Sequence, residues 1–475
     1  MIQKSLFLTL CATTLLALSN DEKIEKLTAQ MKAMEAEIAT LKQEQIQAAD
    51  DAYDYTENVE TKVLEDKIKF SLAMKFSDDS IEKEYANAHN VHSNNILSTK
   101  FMLNMRADIT PTLKFHGRLS MYKYWGSSIV HPYSYFDNMQ GRVPSDSALY
   151  VERAYVDWYL YKDSILPVAL TIGRQPSSDG PSHQFKDNTT RKGTYSALLY
   201  DGAADGAVVT LNLSRLLHYN KTYLRLGYSK GFGYIESNNY VGNAYIGASN
   251  DDIKDTNVYG VFLDTTLPGL ADSLVQISYS QLKDIIANPL DRDYSNNKNI
   301  GDMQLFGAMA EASNIADTHL DLFVHYGYNK TKPNGTTYQD PAGNQVGLLG
   351  DGKERKSGYA YWLGGRYTFD KHKHWKCGFE YNHGSQNWLN LTQGSFDLYN
   401  KLATRGDAYE TYFMYAYNRY LNFRVGYLDI DYKYRRSGWF VGAAEEITPQ
   451  SSSVPNEQSD LTRLKALYLK MNLVY

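Results

Sequence analysis

From Lys67 to the C-terminus, apolar residues return at every second position, segment after segment. In KIKFSLAMKF (67–76), Ile68, Phe70, Leu72, Met74 and Phe76 share one face, and Lys67, Lys69, Ser71 and Lys75 share the other. Side chains alternate across an extended chain, so a period of two describes strands with one apolar and one polar side. The template fits sixteen segments: 67–76, 97–109, 112–125, 148–161, 166–175, 204–214, 221–232, 255–266, 272–282, 301–312, 317–330, 357–369, 373–385, 406–418, 420–434 and 461–475. The alternation is weakest in 166–175, 301–312 and 406–418.

The connections carry as much information as the strands. Short ones, such as TP at 110–111, LPGLA at 267–271 and SNIA at 313–316, alternate with long ones rich in Gly, Asn, Ser and Asp. A soluble sandwich has no reason to sort its loops this way, whereas a transmembrane barrel has tight turns at one end and long loops at the other. Backbone groups inside lipid must all be paired, so the sheet has to close. The mean hydropathy of -0.48 is compatible with lipid, because each strand shows only alternate residues to the outside. The 40 tyrosines suit a long lipid–water perimeter. Eight strands would be filled by their own side chains; sixteen leave an aqueous lumen. The expected fold is an all-β transmembrane barrel of about sixteen antiparallel strands over residues 63–475.

Two segments precede it. Lys4, the apolar run 6–18 and the small residues before Asn20 read as an export signal over residues 1–19, too short to cross a bilayer as a helix. Residues 20–62 change to a 3.5-residue period, with Ile24, Leu27, Met31, Met34, Ile38 and Leu41 on one seam. Glu37 and Lys42 stand where a parallel partner could accept an ion pair. This predicts a short periplasmic coiled-coil helix. Once the signal is removed Cys377 is the remaining cysteine, which excludes an intramolecular disulfide. A formal charge of -5 without a basic run or motif argues against nucleic acid as a partner.

The signal, coiled coil, strands and closing LYLKMNLVY (467–475) together resemble trimeric outer-membrane porins of Gram-negative bacteria. The segment AYVDWYLYKDSILPVALTIGRQPSSDGPSH (154–183) resembles, more narrowly, a family of porin-like outer-membrane proteins known only as a domain of unknown function. The resemblance implies a bacterial outer-membrane location, with the N-terminal helix and the C-terminus in the periplasm. Its implied partners are lipid, lipopolysaccharide, the barrel-assembly machinery and two further copies of the chain. Leu467, Leu469, Met471, Leu473 and Tyr475 would form the signal that this machinery reads. The third long connection (176–203) would fold into the barrel, with Asp179, Lys186, Asp187, Arg191 and Lys192 shaping a constriction.

The polar faces of the strands define the expected wall of the lumen. Lys69, Lys75, Lys100, Arg106, Lys114, Arg118, Arg153, Arg225, Arg366, Lys376, Arg424 and Lys470 fall on it, against Asp108, Asp157, Asp264, Asp321, Glu380 and Glu410. An excess of bases in a narrow pore concentrates anions. The leading expectation is therefore a porin, a passive channel for small hydrophilic solutes and ions that weakly favours anions. One alternative is a sugar-type channel using Tyr155, Tyr159, Phe323 and Trp362 as a stacking track; another is a surface adhesin or receptor with a plugged lumen.

Catalytic and metal signals are poor. His372 and His374 sit at a short turn, His89 and His92 lack a third ligand, and DRDYSNNKNIGD (291–302) ends in Asp302 where a calcium loop needs Glu. No nucleophile elbow, phosphate loop or triad can be picked out, so neither an enzyme nor a cofactor or metal is expected.

Overall fold

The computed structural model describes residues 20–86, 90–126, 149–176, 180–219, 221–232, 256–270, 272–287, 298–339, 343–369, 373–392, 397–448 and 461–475. The export signal at 1–19 lies outside the described residues. The chain divides into a helical unit and a barrel unit.

Helix α1 (Asn20–Lys67) is continuous. It runs past residue 62, where the heptad pattern fades, because the sequence offers no glycine or proline to stop it before the first strand. Its seam residues Ile24, Leu27, Met31, Met34, Ile38 and Leu41 are between 48% and 62% exposed. These six apolar side chains are thus exposed in the single chain.

The barrel strands are β1 (Ile68–Tyr85), β2 (Asn90–Asp108), β3 (Leu113–Tyr124), β4 (Tyr150–Leu160), β5 (Val168–Pro176), β6 (Ala203–Asn212), β7 (Tyr223–Phe232), β8 (Thr256–Thr265), β9 (Ser273–Ala287), β10 (Lys298–Ala312), β11 (Leu320–Pro333), β12 (Ser357–Thr368), β13 (Trp375–Gly384), β14 (Gly406–Ala416), β15 (Leu421–Tyr432) and β16 (Leu461–Val474). They form one closed sheet in chain order. Closure is made by antiparallel pairing of β16 with β1, from Ala73 opposite Val474 to Tyr85 opposite Leu461. Tyr475 extends this ladder: its N–H donates to Leu72 O (2.7 Å), and Leu72 N–H donates to Tyr475 O (2.8 Å). The last residue is thus fixed by two backbone hydrogen bonds.

Alternation holds in space as it does in sequence. On β11, Leu322, Val324 and Tyr326 are 41–50% exposed, whereas Asp321, Phe323 and His325 are at most 5% exposed. The outer surface is apolar and the inner one is polar or packed.

Several strands exceed their expected limits. β1 continues to Tyr85 and β2 begins at Asn90, although the alternation is readable only to 76 and from 97. Asp78, Ser80, Glu82 and Glu84 occupy the outward positions of this extension, so polarity appears on both faces. Pairing with β16 keeps the backbone extended where the apolar signal has ended.

Candidate functional site

The wall bases named from the sequence occupy the inward register positions of their strands, but their surroundings divide into two groups. Chain segments inside the barrel cause the division, among them those that follow β5 and β13.

The first follows β5. It contains helix α2 (His183–Asp187), and its residues Ser182, His183, Gln184, Phe185, Lys186 and Ser196 to Tyr200 are buried. One edge is fastened to β9, β10 and β11. Ser182 Oγ donates to Glu311 Oε2 (2.6 Å) and lies 3.1 Å from His325 Nε2. Gln184 donates to both oxygens of Glu311 (2.9 Å each), and Arg191 donates to Glu311 Oε1 (2.6 Å). Ser196 Oγ meets His325 Nδ1 at 2.7 Å, and its backbone N–H donates to Gln276 Oε1 (3.3 Å). Tyr200 donates to Ser280 on β9 (2.7 Å).

The other edge reaches the opposite strands. Lys186 Nζ donates to Asp397 (2.7 Å) and Glu410 (3.3 Å). Asp187 accepts from Lys75 on β1 (2.8 Å) and from Arg424 on β15 (3.0 Å). Arg424 also donates to the Lys186 carbonyl, and Arg366 donates to the Phe185 carbonyl (2.9 Å). Lys470 pairs with Asp397, and Lys376 donates to Asn188. Contacts on β9 to β15 and on β1 mean that the segment crosses the lumen.

Burial and charge oppose each other in this clasp. Burial raises the Asp187 carboxyl, but Lys75 and Arg424 outweigh it and hold the group well below the usual carboxylate range. Asp397 behaves likewise, with Lys186, Lys470 and Arg424 overcoming its burial. Burial lowers Lys186, yet Asp397 and Glu410 prevail and hold its ammonium above the usual lysine range.

The second segment joins β13 to β14. Trp388, Leu389, Asn390, Lys401, Leu402 and Arg405 are buried. Asn390 donates to Leu198 O (3.1 Å), Leu391 N–H donates to Leu199 O (2.9 Å), and Leu391–Thr392 pairs in parallel with Tyr200–Asp201. Lys401 bridges Glu380 and Glu410. The two segments brace each other, and Phe185, Leu198, Leu199, Phe323, Trp362 and Trp388 share one apolar core inside the barrel.

Inward glycines make room for this filling. A Cβ at Gly307 on β10 would stand 2.0 Å from the Leu199 side chain. A Cβ at Gly358 on β12 would stand 2.3 Å from the Asn387 backbone, which cannot rotate away. These glycines lie on faces where a lumen wall is expected to be polar, and that is the sequence signal for a segment packed inside.

The β2–β7 side is different. Arg106 is 50% exposed, Asp108 37%, Lys114 29% and Asp157 20%. Lys114 lies over the Tyr159 ring (5.5 Å), and His116 stacks on Tyr155 (4.9 Å) while its Nε2 is 3.2 Å from Asp157. Deeper in the wall, Glu152 receives Lys100 and Arg118 (3.4 Å each), and Arg225 pairs with Asp264. Lys69 is exposed at the start of β1, and Arg153 is half-buried on β4.

Several sequence expectations change in this light. Phe323 and Trp362 are buried beneath the first segment and provide no stacking track, while Tyr155 and Tyr159 remain half-buried on the other side. Lys192 is exposed, and Asp179 lies outside the described residues. Glu152 was missed because a register shift opposite Arg118 and Leu119 breaks the simple alternation. Asp397 and Lys401 were missed because their segment has no period. Among the described residues, no group of three His, Cys, Asp or Glu side chains is placed to hold a metal ion.

A family model described as a protein of unknown function, DUF3373, matches residues 90–475. The chain belongs to this family. The matched region begins at β2 and takes in both internal segments; α1 and β1 precede it. No curated protein matches the sequence. Among solved structures, Pseudomonas putida OprB is similar at 12% identity with a TM-score of 0.50, over 87% of this chain and 96% of that one. Salmonella typhi OmpF in complex with daunomycin is similar at 14% identity with a TM-score of 0.47, over 86% and 99%. OmpT, an outer membrane protein of Vibrio cholerae, follows at 10% identity and 0.41, over 86% and 98%. What this member of the family shares with OprB, at such identity, is the porin-like barrel.

Proposed function

We propose that the protein is an outer-membrane porin, a passive channel for small hydrophilic solutes whose water path runs along β2–β7. The observation that carries this reading is the contrast in exposure: Arg106, Asp108, Lys114 and Asp157 stay partly exposed, whereas the inner face of β9–β16 and the other part of β2 and β3, with Lys100, Met102, Arg118 and Ser120, are packed. Most of the expected basic wall is neutralised in ion pairs. Lys69, Arg106 and Lys114 are the wall bases left accessible, against Asp108, which pairs with both Arg106 and Lys114, and Asp157, and this small excess supports a weak preference for anions.

The reading includes the periplasmic side for α1 and the C-terminus, insertion through the closing Leu467–Tyr475 alternation, and self-association, as a homotrimer by resemblance. It assigns no catalytic role. A plugged receptor barrel is the competing reading, favoured by the fully buried Leu198, Leu199, Trp388 and Leu389 inside the barrel. Purified, folded protein in a planar lipid bilayer separates the two. Discrete conductance steps with a reversal potential on the anion side under a salt gradient are expected. Absence of conductance selects the receptor, and clear cation preference removes the proposed role of Lys69, Arg106 and Lys114.

A further inference from the structure

Residues directly opposite one another in antiparallel strands share a face of the sheet, and on the open side this puts unlike groups in rows. Arg106 on β2 lies opposite His116 on β3, and His116 opposite Tyr155 on β4. Tyr155 lies opposite Gly173 on β5, and Gly173 opposite Gly206 on β6. One row across five strands is thus a cation, an imidazole, a phenol ring and two glycines. The neighbouring row holds Asp108, Lys114, Asp157 and Thr171.

The two rows combine an open ring face with an accessible cation. His116 stacks on Tyr155 from the β3 side, with ring planes 12° apart. No side chain stands on the β5 side at this level. A Cβ at Gly173 would run into the Ala154 carbonyl, and one at Gly206 into the Tyr228 carbonyl, so close strand approach keeps both positions bare. Tyr155 therefore borders a shelf two strands wide, roughly 10 Å. Both oxygens of Asp157 are engaged in the wall: Oδ1 accepts from Thr171 (2.5 Å), and Oδ2 lies 3.2 Å from His116 Nε2. Arg106 and Lys114 share Asp108, and Arg106 is its nearer partner (3.4 against 3.8 Å). Lys114 Nζ leans instead toward β4, 5.5 Å from the centre of the Tyr159 ring.

We infer that this stretch of wall is a binding site for aromatic carboxylates, an assignment that rests on the channel reading above. The solute's ring lies over the glycine shelf against the open face of Tyr155, and its carboxylate turns to Lys114. A polyol would instead need acceptors for many hydroxyls, and the oxygens of Asp157 are already taken.

Single-channel recording with sodium benzoate tests the assignment, with acetate as the acid lacking a ring and benzyl alcohol as the ring lacking an acid. Benzoate should interrupt the current at concentrations where neither control does. Tyr155→Leu and Lys114→Gln should each raise the half-blocking concentration, by about 2- to 10-fold for the lost ring, whereas Tyr155→Phe keeps the block. Gel mobility of each folded barrel separates loss of the site from loss of the fold. Equal block by benzoate and acetate, no block of an open channel, or block indifferent to both Tyr155→Leu and Lys114→Gln overturns the inference. Saturation-transfer NMR of benzoate with the folded protein in detergent reads the site without conductance. Saturation transfer that weakens in Tyr155→Leu would uphold the site even in a protein that passes no current, where only the channel reading falls; absence of transfer overturns the site even in a conducting one.

Discussion

The two sides of the barrel wall are built from the same alternating strands but end in opposite states. On β9–β16, inward residues such as Leu305, Trp362, Met414 and Leu428 are fully buried by segments that enter the lumen. On β2–β7, inward Arg106, Lys114, His116 and Asp157 remain partly open and meet mostly one another. Strand parity decides which face of the sheet a residue lies on. Whether that residue meets water is decided by chain segments elsewhere, and by the inward glycines that receive them. Pore chemistry is therefore to be sought on one side, and stability on the other.

The largest expected effect is on the packed side. Lys186→Met removes the cation shared by Asp397 and Glu410, leaving two buried carboxylates that still interact with Lys470, Lys401 and Arg424. Breaking a buried pair from one side costs about 3–5 kcal/mol. The midpoint of denaturant unfolding of the folded barrel, followed by gel mobility, should fall accordingly. Lys114→Met on the open side should leave it nearly unchanged, since partly exposed pairs contribute roughly 0–1 kcal/mol. Equal losses from both substitutions would erase the distinction between the two sides.

Next in size is the volume test. Gly358→Val places side-chain atoms against the Asn387 backbone, an overpacking of about 1–3 kcal/mol. The second segment should then leave its groove and uncover part of the packed side, so single-channel conductance should rise. An unchanged conductance together with unchanged stability would show that the segment does not rest on β12.

Much of this architecture was legible in the sequence, for identifiable reasons. Lipid outside and polar groups inside impose a period of two, so Lys75, Arg118, Arg424 and Lys470 could be assigned inward from spacing alone. Tyr475 could be assigned to a closing strand because it continues the alternation of Leu467, Leu469, Met471 and Leu473, and it exchanges two backbone hydrogen bonds with Leu72. The outer parts of β1 and β2 were not legible, since above the apolar band both faces are polar. Glu152 was hidden by a bulge. Asp397, Lys401 and Trp388 lie in an aperiodic segment whose position depends on contacts distant in sequence; the indirect trace was the set of glycines on an inward face, Gly307, Gly327 and Gly358.

Selectivity sharpens the open side with little effect on folding. Arg106→Glu combined with Lys114→Glu reverses two accessible charges beside Asp108. The reversal potential under a salt gradient should move to the cation side while the unfolding midpoint stays within about 1 kcal/mol of its original value. The same reversal at Lys75, which is tied to Asp187 on the packed side, should disturb folding before selectivity. If Lys75→Glu changed selectivity alone, the water path would have to include that side.

The smallest effect expected is an absence of pH gating. Asp187 and Asp397 are held below the usual carboxylate range, so their contribution is complete above about pH 4 and is lost only as pH falls further. Lys186 is held above the usual lysine range, so its contribution is complete below about pH 10 and is lost only as pH rises beyond that. Between these limits every charge in the clasp keeps its partner. Single-channel conductance should therefore stay constant across the neutral range. A reversible rise on mild acidification would sink this account of the anchorage.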